Sequence, residues 1–355
     1  MFILIIKEIV VPGYEKVVHG QDSKSGLNAI IAIHNTSLGP ALGGTRMWPY
    51  QSKEEALTDV LRLAKGMTFK AAAAGLNLGG GKAVIIGNSK LDKNPGLLAA
   101  YGKLVQSLQG RYITAEDVGM TQADMDVISQ ETKSVVGVTG GSGDPSPATA
   151  YGVYLGIKAA AEAAYGSDNL TGKTVAVQGL GSVGYHLCQL LHQNGVKLTV
   201  TDLDPAKVKR AELEFNALAA SPEKILASDC NILAPCALGA VVNQRTLSQL
   251  RCDIIAGSAN NVLEKPADGM ELHQLGILYI PDFVINAGGL INVSEELNGY
   301  NAEKAHARIQ QIPKSISKII SISQAQKIPT SEAAELMALE LLAAATCQGG
   351  FRNGS

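Results

Sequence analysis

The segment TVAVQGLGSVGYHLCQLLHQNG, residues 174–195, constrains the fold of this chain more than any other. A Val-rich run of strand composition meets Gly179, Gly181 and Gly184 in the spacing G-x-G-x-x-G, and an amphipathic helical pattern follows at once. Gly179 permits the tight turn, Gly181 leaves room for a pyrophosphate, and Gly184 lets the helix close on the sheet. The N-terminus of that helix favours negative charge. An acidic residue then ends the next strand-like run, KLTVTDLD, where a ribose partner belongs, and Asp202 is better placed for it than Asp204. A carboxylate there repels a 2′-phosphate, so the pattern favours NAD over NADP. The alternative is a tight strand–helix turn with no ligand.

Around this unit the chain keeps alternating strand and helix. PAKVKRAELEF has helical periodicity, while CNILAPC, CDIIAGS and GILYIPD are short strand-like runs, so a mostly parallel sheet covered by helices is expected. Upstream, MFILIIKEIV reads as an N-terminal strand, too short and lacking the basic leader of a signal peptide. GLNAIIAIH (26–34) reads as a strand and GPALGG (39–44) as a turn. SKEEALTDVLRLAKGM is a helix with Ser52 as N-cap and Glu55 behind it, its apolar stripe running through Ala56, Val60, Leu63, Ala64 and Met67. AVII (83–86) is a strand, 94–110 a helix stopped by Gly110, RYITAEDVG a strand and 121–132 a helix. VGVTGGSGDPS (136–146) is the linker candidate and PATAYGVYLGIKAAAEAAYG a long apolar helix. Helices fill 301–347 apart from a break at 327–330, and the tail GGFRNGS is expected to be flexible.

Composition removes several classes of function. A chain of 355 residues is long enough for two cores, and 17% charged residues with 46% apolar suits packed domains. A net charge of -2 without basic runs gives no broad footprint for nucleic acid or an anionic membrane, so neither is expected as a partner. Five cysteines without CxxC spacing fit a reducing compartment. With no uncharged run of membrane-spanning length, the expected location is cytoplasmic. His34, His186 and His192 are not spaced as metal ligands, so structural roles and no metal are expected. No strand–Ser–helix nucleophile turn is present.

KGMTFKAAAAGLNLGGGKAVI (65–85) sets Lys70 and Lys82 in the most glycine-dense stretch of the chain. Gly79, Gly80 and Gly81 read as a loop able to approach a ligand closely, with Lys82 projecting from its end. An enclosed lysine there loses pKa through desolvation or a neighbouring cation, and Lys70 is such a cation. The pair equally suits a carboxylate ligand, or two lysines snorkelling at the surface. In ITAEDVG, Glu116 and Asp117 point to opposite faces, so one at most serves a site. SANN (258–261) and PDFVINAGG (281–289) follow strand-like runs, where asparagine orients amides or carboxylates or simply makes turns.

Taken in order, GPALGGTRMWPY, KGMTFKAAAAGLNLGGGKAVI, GRYITAEDVG, GDPSPATAYGV, VAVQGLGSVG, LAPCALGA and PDFVINAGGLINV closely resemble the glutamate/leucine/phenylalanine/valine amino-acid dehydrogenase family over nearly the whole chain. The resemblance implies an α/β fold of two domains flanking an active-site cleft. A substrate-binding and oligomerisation domain would span 1–137, completed by C-terminal helices from about 331–355. A Rossmann-like NAD domain would span 138–330. By motif position, Lys70 resembles the lysine that holds the amino acid carboxylate, Lys82 the catalytic lysine and Asp117 the proton-transfer aspartate. Asn261 resembles a cleft asparagine near both carboxylate and nicotinamide. Thr149 resembles the threonine orienting the nicotinamide amide. Gly43, Gly44 and Met67 would flank the substrate, and Ser182, Val183, Leu203 and Ala237 would join Gly179, Gly181, Gly184 and Asp202 around the cofactor.

The implied reaction is reversible oxidative deamination of an L-amino acid to its 2-oxo acid and ammonia. Hydride leaves the α-carbon for NAD, Lys82 activates water to attack the iminium, and Asp117 exchanges protons with the nitrogen. The side-chain pocket corresponds to Leu42, Ala115, Leu290 and Val293. All four are apolar, so a glutamate γ-carboxylate would be left unpaired at a high cost. Leucine, valine and isoleucine fit, with leucine favoured; phenylalanine, tryptophan or valine specificity are the alternatives. A homo-oligomer, dimer or octamer, is implied. The reading of another class is a catalytically silent NAD-sensing or assembly protein. The short VTGGSGD at 138–144 departs from the pattern of the leucine-specific members at the interdomain connection.

Overall fold

The run Ala29–Ile33 is apolar at every position, and every one of these side chains is buried. Ala29, Ile31 and Ile33 join one core, Ile30 and Ala32 another, so this strand is covered on both faces. The computed structural model describes residues 4–237 and 239–350, with backbone alone over 348–350. Residues 1–3 of the expected N-terminal strand, Leu238, and the last five residues of the expected flexible tail lie outside the described residues. The chain divides into two compact units, one of residues 1–143, 293–301 and 338–355, the other of 144–292 and 302–337.

The first unit carries β1 (Ile5–Glu8), β2 (Lys16–Asp22), β3 (Leu27–Asn35), β4 (Ala41–Trp48), α1 (Lys53–Ala73), β5 (Gly79–Ile86), α2 (Pro95–Gln106), β6 (Tyr112–Glu116) and α3 (Gln122–Ser129). Its mixed sheet runs β1-β2-β3-β5-β4-β6, antiparallel from β1 through β5 and parallel among β5, β4 and β6. Helix α1 is the crossover between parallel β4 and β5, and its stripe Ala56, Val60 and Ala64 packs on Ile30, Ala32 and Val84. Helices α2 and α3 cover the other face through Leu97, Leu104, Met125 and Ile128. Ser52 caps α1 by accepting the Glu55 amide at 3.1 Å; the Glu55 carboxylate reaches back to the Gln51 amide at 2.7 Å instead of the cap's own.

Two readings of glycine change here. GPALGG is a turn only at Gly39–Pro40, and from Ala41 it is the buried start of β4. Gly79–Gly81 form no loop but open the central strand β5. The missing side chains serve packing against backbone: a Cβ on Gly43 would meet the Gly81 carbonyl oxygen at 1.7 Å, and one on Gly80 the Thr68 nitrogen at 2.0 Å. Helix α2 also stops earlier than expected, at Gln106, and turns fill the way to Gly110.

The glycine-rich 137–143 segment wraps the Glu296 carboxylate. The Gly137 and Ser142 amides donate to it at 2.7 Å each and the Ser142 hydroxyl at 2.6 Å. A Cβ on Gly141 would sit 2.6 Å from the Glu296 carboxyl carbon, which explains a glycine there. The unusual composition of the segment thus closes a carboxylate nest inside the first unit.

The second unit carries α4 (Ser146–Tyr165), β7 (Thr174–Gln178), α5 (Ser182–Gln193), β8 (Lys197–Thr201), α6 (Pro205–Phe215), β9 (Leu218–Ala219), β10 (Ile232–Pro235), β11 (Ile254–Ile255), α7 (Pro266–Gln274), β12 (Leu278–Tyr279), α8 (Asp282–Ile285) and the start of α9 (Gly288–Ser294). It continues with α10 (Ala302–Ile309), α11 (Ile312–Gln326) and the start of α12 (Thr330–Gly350). The sheet is wholly parallel in the order β12-β11-β10-β7-β8-β9, so strand order reverses at β7. Ligands bind at such a switch point, beyond the carboxyl ends of the strands. Among the described residues no helix is long and apolar enough to cross a membrane.

Candidate active site

Alternation along β5 sends Ala83 and Ile85 into the core under α2, and Val84 with Lys82 to the face under α1. Lys82 is 7% exposed, and its Nζ lies 2.8 Å from Asp117 Oδ2, just past the end of β6. Burial works to raise the Asp117 carboxyl; the charge and hydrogen bond of Lys82, then Arg46, overcome this and hold it below the ordinary value. Arg46 of β4 donates from Nε to the same Oδ2 at 3.3 Å.

Glycine makes this pair geometrically possible. Gly43 and Gly44 stand between Leu42, paired with Gly80, and Thr45, paired with Ala83, so they flank β5 at the level of Lys82. Gly44 is also paired with Ala115 of β6, and a Cβ on it would meet the Glu116 carbonyl oxygen at 2.6 Å and Asp117 Cβ at 3.0 Å. Gly44→Ala is therefore expected to push the Glu116–Asp117 backbone away from β4, displacing Asp117 from Lys82 and lowering the unfolding midpoint. The expected loss in kcat is about tenfold to a hundredfold per folded enzyme, measured below the lowered midpoint. An unchanged rate would show that the close approach at Gly44 does not control the pair.

Lys70 occupies the last turn of α1, half-buried, one turn beyond half-buried Met67. Leu42 is fully buried in β4 and Ala115 half-buried in β6. On α9, Leu290 is buried and belongs to the second unit, whereas half-buried Val293 belongs to the first.

In the second unit the three glycines have distinct surroundings. Gly179 has φ +100 in the turn after β7, its amide donating to Thr201 at 2.8 Å, a conformation that glycine tolerates. A Cβ there would meet Cβ of Ala237, which follows β10, at 2.6 Å. On Gly184 a Cβ would lie 2.0 Å from the Gly179 carbonyl oxygen, whereas Gly181, the N-cap of α5, faces open space. Ser182 and Val183 follow as the first helical residues. Asp202 is half-buried beyond β8, and Leu203 beside it is exposed. The Asp202 carboxylate accepts from the Leu180 amide at 2.7 Å and the Asp204 amide at 2.9 Å. Burial opposes its ionisation, but those amides and nearby Lys207 hold its carboxyl below the ordinary range. An open cradle at a helix N-terminus beside an oriented carboxylate fits a dinucleotide.

Thr149 lies in the first turn of α4, its hydroxyl donating to the Pro145 carbonyl at 2.9 Å. A Cβ on Gly289 would come within 2.6 Å of that hydroxyl, so glycine lets α9 begin beside it. Asn261 is exposed, holds φ +53 and accepts the Ala240 amide on its carbonyl at 2.6 Å. It lines a cavity of about 530 Å³ with Lys265, Phe283 and Glu332. The two asparagine clusters do meet, but through Asn260 and buried Asn286, whose amide donates to Asn260 Oδ1 at 2.8 Å and the Ser258 carbonyl at 3.1 Å. Sequence reasoning did not single out Asn286, Arg46 or Glu296, although all three lie in or beside motifs it quoted.

A doubly wound dinucleotide unit, joined to a unit that buries a lysine against an aspartate, defines a nicotinamide-dependent dehydrogenase. Residues 14–134 match the model of the Glu/Leu/Phe/Val dehydrogenase dimerisation domain, and residues 140–221 and 206–350 that of Glutamate/Leucine/Phenylalanine/Valine dehydrogenase. The chain belongs to this family of amino-acid dehydrogenases. It is 59% identical over 330 residues to leucine dehydrogenase of Geobacillus stearothermophilus, covering 92% of this chain and 90% of that protein. To leucine dehydrogenase of Bacillus subtilis it is 56% identical over 330 residues, with 92% and 91% covered. The crystal structure of L-tryptophan dehydrogenase from Nostoc punctiforme superposes with a TM-score of 0.85 at 46% identity, covering 94% of this chain and 97% of that one.

Proposed function

We propose that this chain catalyses the NAD-dependent, reversible oxidative deamination of a branched-chain L-amino acid, leucine favoured, to its 2-oxo acid and ammonia. The carrying observation is the pairing of buried Lys82 with half-buried Asp117 at 2.8 Å, on a sheet whose neighbouring positions, Leu42 and Ala115, are apolar. The resemblance to leucine dehydrogenases at well over half identity supports the substrate.

Residue roles follow from chemistry and motif position. The Lys70 ammonium pairs with the substrate carboxylate, with Met67, Gly43 and Gly44 beside it and Asn261 donating an amide. The Gly179–Gly184 turn with Ser182, Val183 and Ala237 would hold the pyrophosphate of NAD and Thr149 its amide end, and the cofactor would there supply the hydride acceptor. The Asp202 carboxylate, already held by two amides, takes the ribose hydroxyls beside Leu203 and repels a 2′-phosphate. Lys82 draws a proton from water as it adds to the substrate iminium, and Asp117 passes protons to and from the nitrogen until ammonia leaves. By motif position the side chain is assigned to Leu42, Ala115, Leu290 and Val293, none of which offers a polar group to hold a second carboxylate.

The unit of residues 1–143, 293–301 and 338–355 serves as the substrate and assembly domain and that of 144–292 and 302–337 as the NAD domain, so the boundaries expected at 137 and 331 fall at 143 and 337, and 293–301 joins the first domain. The protein works in the cytoplasm as a homo-oligomer, a dimer or octamer. An initial-rate panel of leucine, valine, isoleucine, phenylalanine, tryptophan and glutamate with NAD and NADP tests the reading. Leucine with NAD should give the highest kcat/KM; a clear aromatic preference would overturn the substrate, and faster turnover with NADP the role of Asp202.

A further inference from the structure

We propose that Arg46 is a positioning residue for the proton chemistry, a strut between Asp59 and Asp117 that fixes the Asp117 carboxylate against Lys82; the inference rests on the role given to Asp117 above. Ala41 and Met47 of β4 point into the core under α2, so Arg46 emerges on the opposite face, under α1. Its guanidinium donates from Nε to Asp117 Oδ2 at 3.3 Å and from Nη1 to Asp59 Oδ2 at 3.0 Å. Asp59 is in turn held by the Tyr50 hydroxyl at 2.7 Å and by Arg62 at 3.2 Å. The strut thus ends on a carboxylate of α1 that two further donors lock in place.

The arrangement suits a carboxylate whose other partner changes charge. Asp117 Oδ2 takes both Lys82 and Arg46, and each proton moved through Lys82 changes the field at that oxygen. A guanidinium never loses its proton, and its planar fork spans two carboxylates at once, which a lysine ammonium does not reproduce. Arg46 therefore holds the Asp117 carboxylate in place between proton transfers and favours its return to the charged form. The groups facing Asp117 are Lys82 from β5 and Arg46 from β4. Behind Arg46 stand Asp59 and Arg62 of α1 and Tyr50 of the preceding turn, with Glu116 adjacent in the chain.

The sign of the pH effect follows. Burial raises the Asp117 carboxyl while Lys82 and Arg46 lower it, so losing Arg46 lets the carboxyl protonate at higher pH. The acid limb of the kcat/KM profile should then move upward. The full-length variants Arg46→Gln, Arg46→Lys and Asp117→Asn are compared with wild type using leucine and NAD. Arg46→Gln is expected to lower kcat about tenfold with KM for leucine within about threefold, a split that a binding defect would not give. It should also move the acid limb to higher pH. Arg46→Lys should restore the position of the limb but only part of kcat.

If Arg46→Gln lowers the melting temperature yet leaves the profile and kcat per folded enzyme unchanged, the residue is merely structural and the proposal falls. Should that variant fail to fold, Arg46→Lys decides: kcat within about twofold of wild type overturns the strut, since the fork would then be dispensable. An inactive Asp117→Asn beside unaffected Arg46 variants sinks the strut alone. An active Asp117→Asn sinks the role of Asp117 and the strut with it.

Discussion

Lys82→Met is expected to reduce kcat with leucine and NAD by about a thousandfold, within the range by which a positioned acid–base group accelerates proton transfer. Methionine preserves the unbranched volume of the buried stem, and Asp117 keeps its contact with Arg46, so no carboxylate is left without a cation. The unfolding midpoint should therefore shift little while the chemical step fails. Lys70, the proposed carboxylate partner, lies on α1 and not on β5, so on that proposal KM for leucine should change far less than kcat. That split separates a residue acting in the chemical step from one that binds the ground state. A rate within about threefold of wild type would remove Lys82 from the mechanism. A wild-type protein that binds NAD but makes no NADH with any amino acid would point to the silent reading instead.

Much of this architecture is legible in the chain because periodicity carries it. The apolar run in GLNAIIAIH, the stripe from Ala56 to Ala64 and the Val-rich run before Gly179 each name an element whose apolar side chains the structure buries. Glycine is where sequence reasoning failed, since it marks turns and crowded strands alike. Gly39 is a turn residue with φ +148, yet Gly43, Gly44, Gly79 and Gly80 sit in strands where neighbouring backbone fills the space of a side chain. Only the fold shows which backbone that is.

Arg46 was hidden for a related reason. It stood in a quoted motif, but its meaning depends on Asp59 from α1 and Asp117 after β6, and no spacing joins the three before the sheet forms. Glu296 was likewise silent until the glycine-rich 137–143 segment folded around it. By contrast, the lysine pair was visible as an anomaly, because two charges among alanines and glycines demand either solvent or a site. The structure buries one of them against a carboxylate.

The dinucleotide motif offers the sharpest test of structure against pattern, since its glycines should fail differently. Gly181→Val places a branched side chain where the structure has nothing within 4 Å, at an extended N-cap with no backbone strain to add. The protein should fold with a near-native unfolding midpoint. It should nevertheless lose NAD affinity by about a hundredfold or more, because the side chain takes the space of the pyrophosphate and walls off the helix N-terminus. Gly184→Val is the contrast. Its Cβ would lie 2.0 Å from the Gly179 carbonyl oxygen and 3.3 Å from Cys236 Cβ, so α5 must be levered off the sheet. Overpacking of this kind costs about 1–3 kcal/mol, and the unfolding midpoint should fall before cofactor binding is even measured. Calorimetric titration with NAD, alongside urea unfolding of each variant, separates the two. If Gly181→Val bound NAD as tightly as wild type, the cofactor would not lie over this turn, and the function assigned to Asp202 would fall with it.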